Sequence, residues 1–348
     1  MSNDKNKRFK LLDIARDGKG IGKKPEYSPS GIKRFFISFK DSFWKLLTVN
    51  IIMIIGNIPI MFLIATLGGF TKDQTLLPFY DVFQNINAIF SIEGASPSMM
   101  SLLAVYGVQN NVYIPTVLTY VFYGISAISL FTFGIVNVGT AYVLRNITKG
   151  EPVFVWSDCM YAIKRNYKQA IPFGIIDILI NVILVFNIYI TVTSEGFLFS
   201  FMFWCNVVLW VLFFFIRPYV YIQMVTFKLS IFKQFKNALI FTLLGFKRNI
   251  LALLGCFLLT LFELMFLFTA GGILVPLAIA LPMVFAFSGC AYMKVFAAYY
   301  RIKDIMIDPY LEEHPEEREE IPDDEPIMHD DVTERERLAE IKKRNGLV

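Results

Sequence analysis

Six runs of twenty or more mostly apolar residues divide this chain, at 46–67, 113–144, 171–193, 197–220, 250–270 and 273–298. An α-helix needs about 20 such residues to cross a bilayer core of about 30 Å. The first run, at 1.5 Å per residue, reaches roughly 33 Å. A soluble fold cannot bury this much: 55% of the chain is hydrophobic, 35 residues are Phe, and only 18% are charged. The expected fold class is therefore all-α, a polytopic membrane bundle of six transmembrane helices.

The cations set the expected topology. Of the 33 Lys and Arg, only Lys72 falls in a segment assigned to the outer side; the rest lie in the N-terminal arm, two elbows, the tail or the turns beside them. Loops rich in Lys and Arg stay cytoplasmic, so both termini are expected inside. The first elbow, 139–170, carries Arg145, Lys149, Lys164, Arg165 and Lys168 against Glu151 and Asp158. The second, 221–249, carries Lys228, Lys233, Lys236, Lys247 and Arg248. The surface of Lys164, Arg165, Lys168, Lys233, Lys236, Lys247 and Arg248, with Trp156 and Tyr161 beside the first three, suits anionic lipid or a cytoplasmic partner.

Three parts are expected: a flexible arm at 1–31, a membrane domain at 32–303 with an extracytoplasmic loop at 68–112, and an acidic, largely disordered tail at 304–348. Phe36, Phe39 and Phe43 recur at helical spacing among Lys33, Arg34, Lys40 and Lys45, as in a helix lying among headgroups. Within the outer loop, Phe79, Val82, Phe83, Ile86 and Phe90 define a short amphipathic helix. Run 113–144 exceeds what a bilayer needs, so its last turns are expected to project or tilt. Similar pieces around Lys40, Lys164 and Lys247 introduce the odd-numbered crossings, which suggests three helix hairpins, each preceded by a basic interfacial helix. Positive-inside chemistry alone also puts Lys at such junctions. Roughly 45 mainly polar residues precede the first run, so no cleavable signal peptide is expected.

Inside the crossings, polar residues are expensive and need a reason. Asp177 has Asn181 one turn on; Glu263 lies in the fifth run; Asn50 and Asn57 share a face of the first, and Asn137 lies in the second. A solute site between helices is one reading of Asp177, Asn181, Glu263, Asn50 and Asn57, and interhelical hydrogen bonding is the other. Arg217 is a possible partner for an acid or a snorkelling cation. No catalytic constellation presents itself. His314 and His329 both sit in the acidic tail, Cys159, Cys205, Cys256 and Cys290 form no CxxC pair, and GKGIGKK near the start lacks the strand and helix of a phosphate loop. Neither enzyme activity, cofactor, metal nor nucleic-acid partner is expected.

The stretches FWKLLTVNIIMIIGNIPI, GTAYVLRNITKGEPVFVWSDCMYAIKRNYKQA, FKNALIFTLLG and DPYLEEHP resemble the YesL-like family of bacterial membrane proteins, over about residues 35–308. That family is a domain of unknown function with no catalytic residues to carry over. The resemblance implies a plasma-membrane protein of a Gram-positive-type bacterium, accessory to a carbohydrate ABC uptake system or its sensor kinase. The outer loop here is longer than in the shorter members. A transporter or channel using the intramembrane polar residues is the alternative reading.

Overall fold

The computed structural model describes residues 31–78, 96–98, 101, 109–270 and 272–313. The amphipathic helix expected at 79–90, the arm up to residue 30 and the tail from 314 lie outside them. Six helices are long and apolar enough to cross a membrane, as the hydrophobic runs require.

The chain enters through α1 (Ile32–Asp41) and turns at Ser42 into α2 (Phe43–Leu67), the first crossing. Phe35 stacks on Tyr292 at 5.3 Å, and Phe39 meets Phe285 edge-on at the same distance. The aromatic face of α1 thus packs on the last crossing, leaving Phe36 exposed. Beyond α2, β1 (Lys72–Pro78) pairs antiparallel with β2 (Gln109–Pro115). The second crossing therefore begins not at Tyr113, which is in the strand, but at α3 (Val117–Ser126). Thr116 caps it: the Thr116 and Thr119 hydroxyls both donate to the Thr71 carbonyl, at 2.7 and 2.5 Å, and bind the strand base to the helix start.

After a break at Ala127 and Ile128, α4 (Ser129–Lys149) ends on Gly150, whose φ of 86° closes the helix in the left-handed region. The next helix, α5 (Val155–Thr193), is continuous over 39 residues. The basic part of the first elbow is therefore the first turns of the third crossing rather than a separate interfacial helix. Helix α6 (Phe197–Thr226) returns, and α7 (Ile231–Leu244) is the interfacial helix of the second elbow. Helix α8 (Phe246–Thr269) then makes the fifth crossing. The sixth is segmented: a 3-10 turn (Gly272–Leu274), α9 (Val275–Leu281), a π-helical turn (Pro282–Ala286) and α10 (Phe287–Ile302). A second π turn (Lys303–Ile307) and α11 (Asp308–Glu313) carry the helix into residues that the sequence assigns to the tail.

Burial is uneven along these helices. Every residue from Val138 to Thr148 on α4 and from Tyr219 to Thr226 on α6 is buried, and α1, α7 and α10 close around them. At the opposite end the helices pack chiefly in pairs, α2 with α3, α5 with α6, and α8 with α9, while Val182, Val185, Phe186, Leu198 and Phe201 face outward. Three hairpins thus rise from one hub near the basic elbows, and their apolar outer faces suit lipid.

Small residues allow the tightest contact in the hub. A Cβ on Gly134 of α4 would lie 2.0 Å from the Ala170 carbonyl oxygen of α5, and one on Gly174 would lie 2.5 Å from the Gly134 Cα. The two backbones touch directly, the approach that glycine permits in membrane helices.

Candidate functional site

Asp177, on α5, is fully buried and is the anchor of a charged cluster. Arg217 on α6 donates its Nε to the carboxylate at 2.8 Å, the Tyr221 hydroxyl donates at 2.9 Å, and the Asn181 amide donates at 2.9 Å. Helical spacing explains the set. Asn181 follows Asp177 by four residues and Tyr221 follows Arg217 by four, so each pair shares a face of its helix. A lone carboxylate at this depth is costly; one cation and two neutral donors remove most of that cost. Arg217 therefore does not snorkel away. Its guanidinium also lies over the Phe133 ring, 5.3 Å from the centroid.

Beside this cluster is a cavity of about 50 Å³ where one or more helices from every hairpin meet. Asn137 and Thr140 come from α4, Arg217 and Tyr221 from α6, Lys294 from α10, and Met53 from α2. Lys294 was not singled out by sequence reasoning, which counted it among the tail cations. It lies 4.7 Å from the Phe214 centroid, forms no ion pair among the described residues, and is within Coulombic reach of Asp177 and Arg217. The available signal was its isolation: a single cation inside the apolar stretch FSGCAYMKVFAAYY.

The other expected polar residues go elsewhere. Asn50, fully buried, donates to the Met283 carbonyl at 2.5 Å and accepts from the Ser288 backbone N–H at 2.8 Å. It thereby serves the backbone groups that the Pro282 π turn frees from the helix ladder. Asn57 donates to Met53 of its own helix at 2.7 Å. Glu263 is buried on α8, with no ion pair among the described residues. Asp177 and Asn181 are thus joined, while Asn50, Asn57 and Glu263 belong to other surroundings.

A second buried polar group lies toward the elbows. Arg145 donates to the Val225 carbonyl at 2.9 Å, the Thr226 hydroxyl at 3.2 Å and the Asn146 side chain at 3.0 and 2.9 Å, and it stacks on Tyr142. Gln234 joins α7 to the hub through Gln169 at 3.0 Å and the Leu229 carbonyl at 2.8 Å. Sequence reading counted Arg145 only as one of the cations of the first elbow; the structure buries it as a cross-brace between α4 and the end of α6. Lys164, Lys168, Lys233, Lys236 and Lys247 are exposed, Arg165 is half-buried beside Tyr161, and Arg248 pairs with Asp304 at 2.8 Å.

Among the described residues no group of His, Cys, Asp and Glu is arranged to hold a metal ion, and the four cysteines are free. Fold and cluster together define a polytopic α-helical integral membrane protein. No family profile, curated protein or solved structure matches this chain.

Proposed function

We propose that the protein is a non-enzymatic component of the plasma membrane of a Gram-positive-type bacterium, with both termini cytoplasmic, acting as an assembly partner of a carbohydrate ABC uptake system or its sensor kinase. The observation that carries this reading is the rigid basic face at the elbow end. Lys164 and Lys168 on α5, Lys233 and Lys236 on α7 and Lys247 on α8 are exposed on helices whose other sides pack into the deepest part of the hub. A charged surface held on ordered helices is pre-organised for a partner. Anionic lipid is the second occupant of this face. An apolar groove of about 280 Å³ between α1, α8 and α10 has Arg248 at its rim and Leu251, Leu258 and Phe296 along its walls, a shape that suits an acyl chain below an anionic headgroup. Recovery from the native host in mild detergent, after growth on complex polysaccharides, is expected to bring a transporter permease or sensor kinase with the protein. Recovery of the protein alone, both with and without prior crosslinking, overturns the assembly reading.

The second reading, a transporter or channel, is favoured by the charges bordering the hub cavity. Flux of a small solute in proteoliposomes that is lost in Asp177→Asn supports it, and flux unchanged in both Asp177→Asn and Glu263→Gln removes its basis.

A further inference from the structure

The hub cavity has more positive charge around it than the protein balances. Arg217 commits its Nε to Asp177 and lies within hydrogen-bond reach of the Tyr221 hydroxyl, so no carboxylate is left for its terminal nitrogens among the described residues. Lys294 Nζ has none either, only the face of Phe214. Both side chains line the cavity. On the other side of the balance, the Asp177 carboxylate already accepts from Arg217, Tyr221 and Asn181. Two formal cations therefore face one anion, and that anion is turned toward α5 and α6.

The remaining lining offers these cations neutral oxygens, from Asn137, Thr140 and Tyr221, and no second anion. Thr140 donates to the Val136 carbonyl at 2.8 Å, and Tyr221 donates to Asp177. Asn137 gives one amide hydrogen to the Phe133 carbonyl at 2.8 Å and keeps the other. Buried donors need acceptors and buried charges need counter-charges. A volume of about 50 Å³ holds a few water-sized spheres and no sugar or nucleotide.

From this geometry we propose that the hub cavity is a binding site for one small inorganic anion of halide size, held by the excess positive charge of Lys294 and Arg217 with the Asn137 amide alongside. The anion neutralises the excess charge and ties together the three hairpins, since Asn137, Arg217 and Lys294 come from a different hairpin each. The site is independent of the assembly role proposed above.

The test is thermal unfolding of the purified full chain in detergent, with sodium chloride replacing sodium gluconate at constant ionic strength. Chloride and bromide are expected to raise the Tm saturably, by roughly 2–5 °C per tenfold increase above the dissociation constant. Gluconate, too large for the cavity, is expected to do nothing. Lys294→Met is expected to abolish the response, whereas Lys33→Gln, at an exposed position of α1, retains it. Should Lys294→Met fail to fold, chloride NMR line broadening by the unmodified protein supplies the answer. Saturable broadening displaced by bromide supports the site. Absence of broadening, a Tm insensitive to which anion is present, or a full chloride response in Lys294→Met overturns the proposal and leaves a cavity filled by water alone.

Discussion

Neutralising Asp177 is expected to destabilise the protein more than neutralising its partner Arg217, although both changes break the same ion pair. In Asp177→Asn the shape is kept, but Arg217 and Lys294 are left as two uncompensated cations at one cavity. Removing one member of a buried pair typically costs about 3–5 kcal/mol, because the other charge stays behind without its partner. In Arg217→Met the carboxylate keeps its hydrogen bonds from Tyr221 and Asn181 and retains Lys294 within Coulombic reach, so one cation still faces one anion. The expected loss is that of one charged hydrogen bond, about 1.5–3 kcal/mol. The double variant Asp177→Asn with Arg217→Met leaves only Lys294 charged and is expected to be more stable than Asp177→Asn alone. Reversible unfolding in mixed micelles, followed by Trp fluorescence, measures all three differences. An Arg217→Met protein as unstable as Asp177→Asn, or a double variant worse than either single one, would refute the charge balance assigned to the hub. A bound anion adds a further sign: chloride is expected to recover part of the Asp177→Asn deficit and little of the Arg217→Met deficit.

Further outcomes follow from the same packing. Gly134→Val forces side-chain atoms into the α5 backbone at Ala170, and detergent-solubilised protein is expected to lose its monodisperse peak in size-exclusion chromatography, while Gly124→Val, with open space around it, keeps that peak. Arg145→Lys keeps the charge but cannot reach Val225, Thr226 and Asn146 together; a loss of about 2–3 kcal/mol is expected in the same unfolding assay, and an unchanged midpoint would deny the cross-brace. Glu263→Gln, which removes a buried charge that lacks an ion pair, is expected to leave stability unchanged or raised, in contrast to Asp177→Asn. A cytoplasmically active reporter fused after Val348 is expected to function, and activity only from an externally active reporter would reverse the proposed orientation.

The six crossings were legible because length and hydropathy are properties of each segment alone. So was the Asp177 and Asn181 pairing, since four-residue spacing on a helix is local. What the sequence concealed depends on which distant faces meet. Lys294 counted as one more inner cation until the fold set it beside Arg217, and Arg145, counted among the cations of the first elbow, is a buried brace. The start at Tyr113 was missed because an apolar strand residue and an apolar helix residue look alike in composition, and the pairing of β1 with β2 is a long-range fact. Asn50 and Asn57 share a face, yet only Asn50 meets the broken backbone of the sixth crossing, whose π turn begins at Pro282.

The placement of polar groups along the membrane normal also has a physical logic. Lipid offers no hydrophobic gain for helix association, so helices in a bilayer are held by close packing and polar contacts. In this protein both are concentrated in the hub: the glycine seam of α4 and α5, the Asp177 cluster, the Arg145 brace and the Gln234 link of α7. The far ends of the hairpins have little of either and pack in pairs. A bundle fastened at one end can change the spacing of its hairpins at the other without unfolding, and the charge state of the hub cavity is the element common to all three. An anion at the proposed site would be one more fastening at the hub end, shared by all three hairpins, and the contrasting effects expected of Asp177→Asn and Glu263→Gln separate the fastening role of the hub from a general intolerance of changes inside the membrane.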